Sequence, residues 1–220
     1  MMDPVQTPRS YRDECGIARG LDLVGERWAL LVVRELLLGP RRFTDLRAGL
    51  PGASPNVLTQ RLRELERAGV VRRRRLAPPA GSWAYELTEW GAGLEPLLLD
   101  LGRWALAAPA GRMPDGFLSA VSAVLALRTG FPLEDARWSA TYELRFGEER
   151  YTVRVREGRL EVEPGSAAAP DAVIETDPRT FTAVLNGNRS FAGATATGEL
   201  AVTGDPAAAR RLLAPRDPGP

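Results

Sequence analysis

The stretch "SPNVLTQRLRELERAGVVRRRR", residues Ser54–Arg75, decides the reading of the first half of the chain. Ser54 is a strong N-cap residue, and Pro55 suits the first helical position. Leu58, Leu62 and Leu65 then recur at i, i+4 and i+7, so they share one helix face. The opposite face carries Asn56, Gln60, Arg63 and Arg67, flanked by Val57, Thr59 and Glu64. Gly69 is placed to end the helix. Four arginines follow, Arg72–Arg75, on what reads as a strand; alternation splits them into Arg73 with Arg75 and Arg72 with Arg74. One pair is expected near an anion and the other turned toward solvent or the protein's own acids.

Working outward, "CGIARGLDLVGERWALLVVRELLLG" is dense in apolar residues and stops at Gly39-Pro40. The spacing of Ile17, Leu21, Leu23 and Val24 predicts one helix, and Trp28 to Leu38 a second. "FTDLRAGL" predicts a short helix ended by Pro51-Gly52. After Gly69, "VVRRRRLA" and "SWAYELT" read as strands around the turn signal "PPAG", with Trp83, Tyr85 and Leu87 expected to face inward. A last helix carries Leu94, Leu97, Leu98, Leu101 and Trp104 on one stripe. Short helix, turn, capped helix and hairpin form a winged helix-turn-helix. A helix fits the major groove, where Asn and Gln bond adenine and Arg bonds guanine. A hairpin can lay arginine along phosphates.

Composition narrows the chemistry. The 220-residue chain has 29 basic residues, all of them Arg, no His, and one Cys, Cys15. A Ser-His-Asp triad, a His or Cys zinc site, a phosphate-loop Lys and an internal disulfide are therefore all excluded. No catalytic residue, metal ligand or cofactor is expected, and an enzyme is disfavoured. The start is polar, and "WALLVVRELLLG" is interrupted by Arg34 and Glu35 and too short to span a bilayer, so a cytoplasmic protein without membrane association is expected. Up to Pro109 there are 16 Arg against 13 acids; beyond it, 13 against 15. An anion-binding surface thus belongs to the N-terminal half.

From Cys15 to Trp104 the chain closely resembles the HxlR-type winged helix-turn-helix transcriptional regulators. The resemblance is carried by Cys15, by "LVGERWALLVVRELLLGPRRFTDLR", by "LPGASPNVLTQRLRELERAGVVRR" and by "YELTEWG". It implies a homodimer on a two-fold-symmetric, double-stranded DNA operator, joined through the N-terminal region and the helix Gly91–Leu106. Half-sites would lie about 34–36 Å apart. The candidate DNA contacts are Arg42, Ser54, Asn56, Val57, Thr59, Gln60, Arg63, Arg67, Arg73 and Arg75, with Arg73 matching a basic position in the family. The resemblance also makes Cys15 a candidate redox sensor; its neighbours Asp13 and Glu14 favour a structural role instead.

The small-residue, Pro/Gly stretch at 108–114 reads as a linker between a DNA-binding and dimerisation domain at 1–107 and a second domain at 115–220. The second half is α+β: a helix in "GFLSAVSAVLALRTG", strands in "WSATYELRFG", "RYTVRVREG", "RLEVEPG", "DAVIETD" and "GELAVTGD", a helix opened by Asp177-Pro178 and another by Pro206. The order of elements and the ending G-x-L-x-V-x-G-D resemble the sterol carrier protein-2 (SCP2-like) domain. That implies a five-stranded sheet with helices enclosing an apolar tunnel for a lipid or acyl chain. Phe117, Val121, Phe181, Leu185 and Phe191 are the candidate ligand contacts, against the alternative that they are plain core. A regulator responding to an apolar effector is the expected function. The rival is a lipid carrier whose winged helix serves only for dimerisation.

Overall fold

The computed structural model describes residues 10–76, 81–107, 116–130 and 138–214. The expected linker at 108–114 and the turn residues 77–80 lie outside them. The chain divides into two compact units, Met1–Leu94 and Glu95–Pro220. Their content is α+β: helices with a two-stranded hairpin in the first, a five-stranded sheet with helices in the second.

The first unit contains α1 (Gly16–Val24), α2 (Ala29–Leu36), α3 (Phe43–Gly49), α4 (Pro55–Arg67), β1 (Val71–Arg75), β2 (Trp83–Leu87) and α5 (Glu89–Ala92). Its core is built from Val32, Val33 and Leu36 of α2, Leu46 of α3 and Leu58, Leu62 and Leu65 of α4, all at most 2% exposed. The second helix begins one residue later than Trp28, which caps it in a left-handed conformation (φ 77°). Helix α4 ends in a Schellman motif. Gly69 adopts φ 73° and its N–H donates to the Glu66 carbonyl at 3.0 Å, while the Val70 N–H reaches the Leu65 carbonyl at 3.0 Å. That turn feeds directly into β1. Thr88 locks the far side: its hydroxyl donates to the Gly69 carbonyl at 2.7 Å and accepts the Gly91 N–H at 3.0 Å.

The second unit opens with α6 (Glu95–Leu106) and α7 (Ala120–Gly130). It continues through β3 (Ala140–Phe146), β4 (Glu149–Arg156), β5 (Arg159–Pro164), β6 (Ala172–Thr176), α8 (Pro178–Leu185), α9 (Phe191–Ala196), β7 (Leu200–Gly204) and α10 (Pro206–Leu212). The expected single helix Gly91–Leu106 is therefore broken, with Gly93 and Leu94 between α5 and α6. The sheet runs β5-β4-β3-β6-β7, antiparallel except for the central β3–β6 pair. Tyr142, Leu144, Val153, Val155 and Ile174 alternate along it and are fully buried. Phe181 of α8 stands edge-on to Phe146, with ring centroids 5.3 Å apart. On the other face the buried Glu143 receives Arg145 at 2.6 Å and the Ala167 N–H at 3.0 Å. No helix among the described residues is long and apolar enough to cross a membrane.

Candidate functional site

Helix α4 is fixed from both ends and from below. The Ser54 hydroxyl accepts the Val57 N–H at 3.3 Å and Pro55 opens the first turn, as the sequence predicts. Leu58, Leu62 and Leu65 are buried, which turns Asn56, Gln60, Arg63 and Arg67 outward; all four are exposed, and Val57 and Thr59 are half-buried. Thr59 is tied to its own helix through the Pro55 carbonyl at 2.8 Å, and Gln60 to Glu64 at 3.0 Å. The Gln60 amide is thus engaged by Glu64, whereas Arg63 and Arg67 face outward as exposed side chains.

Arg61, on the inner side of α4, anchors this helix. Arg61 is buried, and its guanidinium meets Glu64 at 2.5 Å and Glu26 at 3.5 Å. It ties α4 to the segment between α1 and α2, and the net negative surroundings absorb its charge. Arg42 is exposed and partly committed: its guanidinium pairs with Asp45 at 3.1 Å, and its backbone N–H donates to the same carboxylate at 3.0 Å at the N-terminus of α3. Arg47, which is not among the candidate contacts, stands on the same side of α3 as the start of α4. It is exposed and lines the shallow depression between α3 and the start of α4, with Thr44, Pro51, Ser54 and Pro55.

The wing sorts the arginine run. Arg72 and Arg74 both bind Glu86, at 2.8 and 2.9 Å. Burial pushes the Glu86 carboxyl up, but hydrogen bonds and charge from Arg74 and Arg72 outweigh it and hold the group below its ordinary range. On the other face Arg73 lies 5.1 Å from the Trp83 ring and 5.7 Å from the Tyr85 ring. Arg75 donates to the Gly81 carbonyl at 3.2 Å. This corrects the expectation that Trp83, Tyr85 and Leu87 face inward. Trp83 is 57% exposed, Tyr85 and Leu87 are half-buried, and the covered residues are Ala84 and Glu86. Neutralisation of Glu86 by two arginines lets a carboxylate occupy the covered face, and small Ala84 fits beside it.

Cys15 is exposed at the start of α1, and its N–H donates to Asp13 at 2.9 Å. Val121, Phe181 and Leu185 are buried in the second unit; Phe191 is half-buried beneath the Arg210 guanidinium at 5.4 Å, and Phe117 is 62% exposed. No group of three or more His, Cys, Asp or Glu among the described residues is arranged to hold a metal ion. Two helices carry exposed apolar rows: Ile17 and Leu21 on α1, and Leu97, Leu101 and Trp104 on α6.

Comparison with known proteins matches the two halves separately. The model of the HxlR-like helix-turn-helix family covers residues 23–109, and the model of the alkyl sulfatase C-terminal family covers residues 130–218. The uncharacterised HTH-type transcriptional regulator YvaP of Bacillus subtilis (strain 168) is 39% identical over 87 residues, 40% of this chain and 81% of that protein. The quinone-bound structure of YodB from B. subtilis is similar at 30% identity, covering 42% of this chain and 97% of that one, with a TM-score of 0.37. The inverting sec-alkylsulfatase Pisa1 from Pseudomonas sp. is similar at 17% identity with a TM-score of 0.40. The likeness covers 42% of this chain but spans only 16% of that enzyme. The second half is thus similar to the alkyl sulfatase C-terminal family, where an SCP2-like relation was expected. Through the first half, by its identity to YvaP and the family model it matches, the chain belongs to the HxlR-like helix-turn-helix family.

Proposed function

We propose that this protein is a transcriptional regulator that binds an operator as a homodimer, with α4 as the recognition helix. The outward row Asn56, Gln60, Arg63 and Arg67 carries the reading: it is exposed, while the opposite face of the same helix is fully buried. Asn and Gln suit adenine, and Arg suits the O6/N7 edge of guanine. The naming of YvaP as a transcriptional regulator supports it. The exposed rows on α1 and α6 are what a dimer would cover, because apolar side chains left open on helices mark association surfaces. A regulator of this kind performs no chemistry and works in the cytoplasm.

The test is selection of bound duplexes from a random library, followed by titration of the winner. Arg63→Ala is expected to weaken binding by ~1–3 kcal/mol and relax base preference at one position. A protein that enriches no sequence, or an Arg63→Ala variant that binds like wild type, refutes α4 as the reading helix.

For the second unit the proposed role is an SCP2-like effector domain for an apolar molecule. Its support is the five-stranded sheet and the buried apolar layer that includes Val121, Phe181 and Leu185. An effector must bind the DNA-competent and incompetent states unequally. Operator titrations with and without lipid extracted from the purified protein would give different affinities; equal affinities sink the role. Extracted lipid together with no duplex binding favours a carrier instead.

A further inference from the structure

We infer that Trp83 and Glu86 act as opposed positioning residues in the wing: Trp83 presents Arg73 to DNA, and Glu86 withholds Arg72 and Arg74 from it. This rests on the DNA-binding reading above and assigns residues that the reading does not need.

The two faces of the hairpin make the case. β1 and β2 pair with Arg72 opposite Glu86, Arg73 opposite Tyr85, Arg74 opposite Ala84 and Arg75 opposite Trp83. On one face a single carboxylate is shared by two guanidiniums, at 2.8 and 2.9 Å. The trio carries a net charge of one, so three ionised groups offer a phosphate backbone the attraction of a single arginine. Glu86 is 11% exposed at its side chain, and its partners are 65% and 52% exposed. The carboxylate is therefore held in place while the arginines lean on it from the solvent side.

On the other face the arrangement is inverted. Arg73 has two aromatic rings beneath it and no carboxylate among its described contacts. A guanidinium within cation–π range of a ring face is held there while its N–H groups remain able to donate. Such an arginine keeps its full charge and has already lost much of its rotamer freedom before DNA arrives. Trp83 is 57% exposed although indole is the largest apolar side chain available. Its exposure makes sense as a platform, because burying it would remove Arg73 from the surface as well.

The two roles predict changes of opposite sign. A mixed-sequence duplex long enough for two half-sites serves as the probe, since phosphate contacts are independent of sequence. Binding is measured by fluorescence anisotropy with the full chain, across roughly 50–200 mM salt. Trp83→Ala should weaken binding by ~2–5-fold. The loss should be non-additive with Arg73→Ala, and Trp83→Phe should restore part of it. Glu86→Gln should strengthen binding by ~3–10-fold and steepen the slope of log K against log salt by about 0.9, one further phosphate neutralised. Arg72→Ala with Arg74→Ala should cancel that gain in the Glu86→Gln background. A merely structural Glu86 would give weaker binding with an unchanged slope, and a merely structural Trp83 would give losses additive with Arg73→Ala. Either result overturns the corresponding assignment. If wild type does not bind the duplex at the lowest salt, the DNA reading itself has failed. If wild type binds and both variants match it, only the sorting of arginines has failed.

Discussion

Gly49 shows how closely the helical unit is packed. A Cβ at this position would lie 2.4 Å from Oε2 of Glu35 and 2.8 Å from its carboxyl carbon. Glu35 is itself fully buried on α2, where Arg34 reaches its other oxygen at 2.7 Å. Gly49→Ala would therefore push a buried carboxylate out of its place. The expected cost is about 1–3 kcal/mol of stability, read as a lower urea midpoint with unchanged slope; an unchanged midpoint would mean that the carboxylate shifts freely. None of this is legible in the sequence. Glu35 reads there only as a charge interrupting an apolar run, and Gly49 only as a residue before a turn. Their contact joins α2 to α3, and no local pattern encodes it. Arg63 is the opposite case: its outward direction follows from three leucines on its own helix.

At the level of elements, caps were the most legible feature, because they are local chemistry. Ser54-Pro55 and Asp177-Pro178 begin helices where they predict, and Asp205 caps the helix that Pro206 opens. Asp177 carries a testable consequence. Its carboxylate accepts the N–H groups of Arg179 and Thr180 at 2.8 and 3.0 Å and the Thr180 hydroxyl at 2.6 Å. Burial raises its pKa, but these bonds outweigh burial and leave it below the ordinary aspartate value. A depressed folded pKa stabilises the fold above the unfolded pKa, and that contribution is lost as pH falls through the folded value. Asp177→Ala should thus cost about 0.5–2 kcal/mol near neutrality. The gap to wild type should close in acid, as followed by urea unfolding across a pH series. A gap independent of pH would contradict an ionised cap. The wing was half legible for a related reason. Alternation along β1 says which arginines share a face, but only the cross-strand register with Glu86 says which face is covered. Hydrophobicity alone points Trp83 the wrong way.

At the scale of the whole molecule, α6 is the helix with the most apolar surface left open. Leu97, Leu101 and Trp104 are 53%, 43% and 75% exposed, and no residue of this helix is buried. If these side chains meet a second copy, Leu101→Glu should convert a dimer to monomer in sedimentation while circular dichroism stays unchanged. A wild-type monomer, or a variant that stays dimeric, would remove α6 from the interface. The strand order of the second unit was not legible as such, since pairing β3 with β6 requires a crossover that no local pattern specifies. The position of α6 also bears on how freely the halves can be exchanged. The helix falls inside the stretch matched by the helix-turn-helix family, residues 23–109, yet its compact unit begins at Glu95, which pairs with Arg128 of α7 at 2.5 Å. A chimera spliced at the family boundary would strip α6 of that partner and leave both of its sides bare. To graft the second half onto a different helix-turn-helix unit, the splice must fall before Glu95, so that α6 travels with α7 and the sheet.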